Sequence, residues 1–549
     1  MRLARLHIFT LVLWVLWACT PEVPVADGEQ EPAMGGPITV RGLVCDNGGL
    51  PLKGVVVSDC NRCVKTDDAG VFELDTDLEN SKFVFVSIPS GYTVPTENGL
   101  PIFYKRLSEA EMIDSCYRVE FILDKMQHDP DRYSVLMVAD PQPRQRDRAL
   151  DKVAYHSLDC CNDLYRDMRE TGSAILADRP CYAIVLGDIV HEDMSLFDEY
   201  ISEGTSKMGF PTFNVIGNHD HDTESLTDEE GAWPFEEKFG PTNYSFNLGK
   251  VHFIVIDNMI QSYKNGSLTS TTVGLRDDIM KWVKSDLSLV DKSSTIMICM
   301  HSPMFLKSKS SKNRTELARQ LVKFANVHEW SGHVHNMNNN CETDLKNLEA
   351  HGIVRATGEL WTNEYLSVGV PRGYVVVNVD GEDVSWKFKP TIYQSGSSYS
   401  STPDYTYRGW DYRGGVARMK SNGKQLDDTY QMNVYPRGAY GDDYVYANVF
   451  MWDQKWTKPI YVTADGKKQY PMNHVTDSSL MYDVGSWEIY DFYKTNSSSF
   501  QKYAYSWDTN YGNTIFSAFL SEPSKQGDYV KVTDRFGNEY RQDVIIINP

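Results

Sequence analysis

Asp140, Gln142, Asp188, Asn218, His219, Asp220, His301, His333 and His335 are the residues of this 549-residue chain whose types and spacing could do chemistry. They fall in five segments, "VLMVADPQ", "YAIVLGDIVH", "FNVIGNHDHD", "IMICMHSP" and "HEWSGHVH". Each is an apolar run, or an expected strand end, that stops abruptly at groups able to bind a metal. Carboxylate, carboxamide and imidazole donors suit Mn, Fe, Zn or Ni better than calcium. Two divalent cations held by this set would keep an excess of positive charge after Asp140 and Asp188 are counted, which suits phosphoryl oxygens and a hydroxide. In "GHVH" the two histidines stand at i and i+2, so extended backbone points both to one side. Gly217 and Gly332 permit close approach of the chain to the metals.

Those segments need a scaffold that gathers them. From 132 to 390, apolar strands alternate with amphipathic stretches such as "LDKVAYHSLDCCNDLYRDMRE", "RDDIMKWVKSDLSLV" and "RTELARQLVKFA", a pattern that predicts a layered α/β domain. In open α/β sheets the ligand crevice lies beyond the carboxyl ends of the strands, so the five segments should converge there. Residues 38–126 read as a small β-sandwich, with "ITVRGLV", "GVVVSD", "VFELD" and "KFVFVSIP" separated by turn signals. From 391 to 549 the composition turns to Tyr, Trp, Gly and Ser with short strands, and a second β-sandwich is expected.

The order D-x-Q, G-D, G-N-H-D, H and G-H-V-H, over residues 140–335, resembles the calcineurin-like metallophosphoesterase superfamily. The flanking regions are similar to extracytoplasmic bacterial members with N-terminal and C-terminal sandwich modules. The run 42–74 resembles carboxypeptidase-regulatory or transthyretin-like modules, and "TDRFGNEY" is similar to the closing strands of the C-terminal one. The resemblance implies a central four-layer α/β/β/α sandwich flanked by an N-terminal transthyretin- or immunoglobulin-like β-sandwich and a C-terminal β-rich domain. It also implies two divalent metal ions, one held by Asp140, Gln142, Asp188 and His335 and the other by Asp188, Asn218, His301 and His333, with Asp188 bridging. The reaction implied is hydrolysis of a phosphate mono- or diester, in line, by a metal-bound hydroxide. His219 would act as general acid, with Asp220 orienting its ring. The region "TGELWTNEYLSVGVPRGY" resembles the family's segment after the last histidine, which implies Trp361 and Arg372 as substrate contacts.

Gln142 stands where that family has a histidine. Two readings stay open: a neutral amide oxygen replacing a neutral imidazole, giving a harder first metal site, or a turn residue facing solvent. His191 and His221 could support the site from behind, whereas His252, His328 and His351 carry no assigned role. Lys307, Lys309, Lys312 and Arg314 form a basic loop after His301, either substrate-facing or merely solvated. The aromatics Tyr405, Tyr407, Trp410 and Tyr412, and Trp452 with Trp456, could stack on sugars but are expected as core.

With 54 Lys+Arg against 75 Asp+Glu the chain carries a formal charge of −21, which argues against nucleic acid as partner. Arg2 and Arg5 followed by "IFTLVLWVLWAC" read as a signal peptide over 1–19 with a lipobox-like end, Cys19 being the lipid-attachment residue and 20–37 a linker. Export would place the protein in the periplasm or at the cell surface, bound to the membrane through a lipid. A phosphorylated small molecule, lipid or glycan is the substrate class expected, and the rival reading is a surface lipoprotein that binds glycan or protein. In an oxidising compartment Cys60 and Cys63 could pair with each other or with Cys45, while Cys160, Cys161 and Cys299 are expected as free buried thiols.

Overall fold

The computed structural model describes residues 37–144, 157–306, 310–358, 370–391, 405–407, 410–412, 430–438, 442–475 and 514–544. Cys19 and the rest of the expected signal segment, Lys307, Lys309 and Trp361 lie outside them.

Two sheets stacked face to face form the centre. The first runs in the order Thr212–Val215, Cys181–Leu186, Arg132–Val138, Gly373–Asp380, Asp383–Pro390. Its first three strands are parallel, and Gly373–Asp380 closes against Arg132–Val138 antiparallel. The second runs Tyr244–Leu248, Val251–Ile256, Thr295–Met300, Asn326–Ser331, Leu348–Gly352, Asn338–Asn340. Strand "RYSVLMV" shows how sequence dictates the layering. Tyr133, Val135 and Met137 point into the core shared with the second sheet, and Leu136 and Val138 point the other way. Cys181–Leu186 divides in the same manner, with Tyr182, Ile184 and Leu186 inward and Cys181, Ala183 and Val185 outward. A strand covered on both faces has no use for alternation with polar residues, so these runs are continuously apolar. Between the sheets, Phe213 of the first stacks on Phe246 of the second with ring centroids 3.9 Å apart.

The outer face of the first sheet is covered by helix Ser157–Leu176, which buries Cys161, Leu164, Tyr165 and Met168, the i, i+3, i+4, i+7 stripe of an amphipathic helix. Helices Asp277–Ser288 and Arg314–Leu321 cover the second sheet with Ile279, Trp282, Val283, Leu317 and Leu321. This is the four-layer α/β/β/α arrangement.

The N-terminal module is two four-stranded sheets, built around Val40–Asp46 with Cys116–Leu123 and around Val56–Ser58 with Phe83–Val86. It seats on helix Asp277–Ser288: the Trp282 indole N–H donates to Ser58 Oγ at 3.2 Å, and the Cys63 N–H to Ser285 Oγ at 2.9 Å. Beneath it, buried Asp286 accepts from Ser245 Oγ at 2.6 Å and pairs with His252 Nε2 at 2.8 Å, which gives His252 a docking role. The C-terminal region is β-rich, with two further four-stranded sheets centred on Tyr444–Val449 and on Ile460–Val462 with Tyr529–Thr533. Trp452 and Trp456 are buried in its core. Strands Tyr405–Tyr407 and Trp410–Tyr412 pair as a separate hairpin.

Cys45, Cys60 and Cys63, which could pair, are in no disulfide, and neither are Cys160, Cys161 and Cys299. Among the described residues no helix is long and apolar enough to cross a membrane.

Candidate metal centre

The five segments meet at the carboxyl ends of the strands. Strands end at Val138, Leu186, Val215, Met300 and Ser331, and the chemistry-bearing residues follow within five positions of each end. Tight exits there impose an unusual backbone: Asp140, Gln142, Asp188, His333 and His335 all adopt positive φ, between 44° and 64°. For residues with a Cβ this left-handed region is costly and recurs where function over-determines the conformation.

Three glycines make the approach possible. A Cβ on Gly187 would sit 2.5 Å from His301 Nδ1, on Gly217 2.2 Å from the Asp188 N and Oδ1, and on Gly332 2.4 Å from Asp140 Oδ2. Gly217 and Gly332 match the sequence expectation, and Gly187 adds a third.

Asp188, Asn218, His301 and His333 form one donor cluster. His301 Nδ1 donates to the Leu186 carbonyl at 2.8 Å, which turns Nε2 toward the cluster. Within 3.2 Å of that nitrogen lie Asn218 Oδ1, Asp188 Oδ1 and His333 Nδ1. Burial pulls the His301 imidazole toward neutrality, but the Asp188 carboxylate outweighs it and raises its pKa to about 9. His333 is lowered to about 4, by burial and then by His301. Asp188 is held well below the usual carboxylate range: burial opposes ionisation, and the surrounding imidazoles, His301 first, overcome it. Carboxylate, amide and imidazole groups gathered this closely are a donor set that a cation would hold together in place of the His301 proton, so the set fits a divalent metal.

Asp140, Asp188 and His335 form a second cluster, with His335 Nε2 3.3 Å from Asp140 Oδ1. The Asp140 carboxylate accepts the His333 N–H at 3.0 and 3.2 Å, tying the two clusters together. Gln142 is 1% exposed, which removes the solvent-facing turn reading. Its Nε2 donates to Asp188 Oδ2 at 2.7 Å, so the amide lies against the shared carboxylate.

His219 sits at the mouth of the clusters, its backbone N–H donating to Asp188 Oδ1 at 2.9 Å. The partner expected for its ring was Asp220, and the structure corrects this. Asp220 is fully buried and accepts the backbone N–H groups of Val190 at 3.0 Å and Gly217 at 2.8 Å, so it braces the turn and does not touch the ring. Burial and then the Asp188 charge raise its pKa to about 7. The residue facing the ring is Glu192, whose Oε1 lies 3.2 Å from His219 Nδ1. His219 is raised above its ordinary value: burial works against protonation, and Asp188 together with Glu192 prevails. His191 stacks on the same ring with centroids 4.2 Å apart, and burial, followed by the His219 charge, lowers its own pKa to about 4. His221 bonds the Gly217 carbonyl at 2.9 Å from behind. Glu192 escaped the sequence reading because nothing about an exposed-looking "HED" run marks it; its φ of 63° and the Glu192 N–H bond to the His219 carbonyl are visible only in three dimensions.

Arg372 is also corrected. It is 2% exposed and bonds the Cys160 carbonyl and Asp163, fastening helix Ser157–Leu176 to the sheet, so no substrate reaches it. Lys312 pairs with Asp277, and Arg314 is buried against the Met304 carbonyl and Asp344. Arg314 is thereby unavailable to an anion, whereas Lys312 lies in a surface ion pair.

A further His/Glu group, His328, Glu349 and His351, has donor atoms close enough to hold a metal. Its chemistry argues otherwise. His351 Nδ1 faces Asn339 Oδ1 at 2.8 Å and its Nε2 faces His328 Nδ1 at 3.1 Å, so both imidazoles are engaged and neutral. Arg535 and Lys455 already neutralise Glu349. This group docks the C-terminal strands on the core.

Two stacked sheets, strand-end ligands and a buried set of carboxylate, amide and imidazole donors define a two-sheet metallohydrolase. Residues 133–337 match the calcineurin-like phosphoesterase model, residues 38–125 the N terminal of calcineurin-like phosphoesterase and residues 351–540 its C terminal. The chain is a calcineurin-like phosphoesterase, a family of metal-dependent hydrolases, with that family's N- and C-terminal flanking modules. The C-terminal match includes strands Gly373–Asp380 and Asp383–Pro390, which complete the first core sheet. Similar solved structures include purple acid phosphatase PPD1 from yellow lupin seeds (14% identity, 49% of this chain and 55% of that one, TM-score 0.34). A dimetal phosphatase from Danio rerio is another (13% identity, 47% of this chain and 96% of that one, TM-score 0.33). The chain thus spans about half the length of the lupin enzyme. No curated protein matches it in sequence.

Proposed function

We propose that this protein hydrolyses a phosphate ester at a binuclear centre, one cation held by Asp188, Asn218, His301 and His333 and the other by Asp140, Gln142, Asp188 and His335. The observation that carries the reading is the convergence of Asn218 Oδ1, Asp188 Oδ1 and His333 Nδ1 on His301 Nε2. Bound there, Mn, Fe, Zn or Ni would acidify a water and neutralise phosphoryl oxygens. The chain's own residues do the rest. Asp188 fixes the His219 backbone, Glu192 holds Nδ1, and His191 sets the ring plane, so Nε2 of a protonated His219 faces the leaving oxygen and can protonate it. The leaving group belongs to a phosphorylated small molecule, lipid or glycan. Export and lipid attachment through Cys19, in the manner of extracytoplasmic bacterial members, complete the proposal.

Metal analysis of the purified full chain, with assays on a phosphomonoester and a phosphodiester, tests the enzyme reading. Near two metals per chain with turnover of either ester supports it; fewer than one metal and no turnover with added Mn overturns it. For Cys19, loss of the protein from the membrane fraction in Cys19→Ser is expected, and unchanged fractionation removes the anchor.

A further inference from the structure

The metal-bearing turn Asn218–Asp220 is held from the side by a hairpin that belongs to no motif, the strands Met259–Lys264 and Ser267–Val273. Gln261 in its first strand is 4% exposed, and its backbone N–H and both ends of its side-chain amide are engaged. Its N–H donates to Asp228 Oδ1 at 2.8 Å, and the other Asp228 oxygen meets Arg276 Nη1 at 2.6 Å. Its Oε1 accepts from Thr271 Oγ1, the cross-strand neighbour, at 2.6 Å. The Asn218 carbonyl settles the orientation of the amide, because a carbonyl oxygen only accepts, so Nε2 is the end that reaches it at 3.2 Å and Oε1 faces the Thr271 hydroxyl. The hairpin is itself anchored beyond the turn: Tyr263 OH donates to the Asp222 carbonyl at 2.7 Å and the Leu268 N–H to the Thr223 carbonyl at 2.8 Å.

We propose that Gln261 is a positioning residue of the metal centre, its amide fixing the Asn218 carbonyl and through it both the Asn218 side chain and the adjoining His219. The inference rests on the reading of Asn218 as a ligand. A carbonyl held from outside the turn restricts the Asn218 peptide plane, and a ligand set loses affinity when its supporting hydrogen bonds go, typically by about 10–100-fold. Thr271 acts at one remove, by keeping the amide in register.

The test is Mn(II) affinity of the full chain, measured by titration calorimetry, for wild type, Asn218→Ala, Gln261→Ala and Gln261→Glu, with thermal melts alongside. Gln261→Ala should weaken one of the two Mn sites about tenfold and lower kcat more than it raises KM, with a melting temperature close to wild type. In Gln261→Glu a protonated carboxyl can still donate to the Asn218 carbonyl and an ionised one cannot. Its Mn affinity relative to wild type should therefore recover as pH falls, while that of Gln261→Ala stays low throughout. Wild-type Mn affinity in Gln261→Ala, with Asn218→Ala impaired, overturns the positioning role alone. Wild-type affinity in Asn218→Ala overturns the ligand reading on which it rests. A loss in Gln261→Ala that Gln261→Glu does not recover at low pH, or that comes only with a lowered melting temperature, assigns Gln261 to the fold and overturns the proposal.

Discussion

Replacing Glu192 with Gln isolates its charge from its shape, because the side chain keeps its length and one acceptor oxygen. In the native protein Glu192 Oε1 lies 3.2 Å from His219 Nδ1, and the Glu192 side chain is about half exposed. At that distance, with water-like screening, an ion pair is worth about 1–3 kcal/mol; the low end corresponds to about one pKa unit. His219 is raised in the native protein by Asp188 and Glu192. Removing the second contribution lowers its pKa, so the general acid loses its proton at a lower pH. The alkaline limb of the pH–rate profile should move down by about one unit. At pH 8 an alkyl phosphate, whose leaving oxygen needs a proton, should turn over about tenfold more slowly, a fraction of what a general acid contributes. A nitrophenyl ester, whose leaving group departs as an anion, should stay within about twofold. The assay is kcat for both substrates from pH 5 to 9 at saturating Mn. An unmoved alkaline limb, or an equal loss on both substrates, would refute the assignment of Glu192 to the ring of His219.

Other outcomes follow from the same geometry. Gly217→Ala places a Cβ 2.2 Å from the Asp188 backbone N, which cannot yield as a side chain can; metal content should collapse, and a variant that retains two metals contradicts the close approach. Gln142→His exchanges an amide oxygen for a softer nitrogen, so Zn affinity should rise relative to Mn; an unchanged ratio of the two affinities means that Gln142 does not contact a metal. Glu329 is fully buried and accepts the Met304 and Phe305 N–H groups, and burial raises its pKa to about 7 from 4.5. A carboxyl raised on folding contributes its stability below its unfolded value and loses it as pH climbs through the folded one. Wild type should therefore melt lower at pH 8 than at pH 5, by at most about 3 kcal/mol of stability. Glu329→Gln should flatten that slope, and parallel melting profiles for the two proteins would falsify the attribution.

The core and most of its site were legible because both rest on local signals. Continuous apolar runs such as "VLMV" and "AIVL" mark strands covered on both faces, and the abrupt change to Asp140, Asp188 or His301 marks where each strand leaves the sheet. The errors have one physical origin. Residue type and distance along the chain misplace Asp220 and Arg372 and say nothing of Glu192, because their roles depend on which way the local backbone points a side chain. Asp220 and His219 are neighbours in a single turn, so their side chains diverge, and Asp220 ends on the backbone of Val190 and Gly217. Glu192 comes from another strand's exit and arrives at the ring because its backbone is left-handed, and no sequence period encodes that. Arg372 sits at a strand's start and is turned onto the helix that it fastens.

The same reasoning bears on Gln142. Its φ of 44° matches the left-handed backbone of Asp140, Asp188, His333 and His335, and its N–H donates to the Asp188 carbonyl at 2.9 Å. A residue free to be a solvent-facing turn would have no reason to share that strain or to be 99% covered. The exit from the first core strand is therefore built as it would be for a ligand in this position, and the substitution changes the donor atom while leaving the scaffold that delivers it. A buried amide against Asp188 on that backbone suits an altered donor at this position, and the Zn-to-Mn ratio of Gln142→His is the measurement that decides between an altered donor and a residue that only braces the turn.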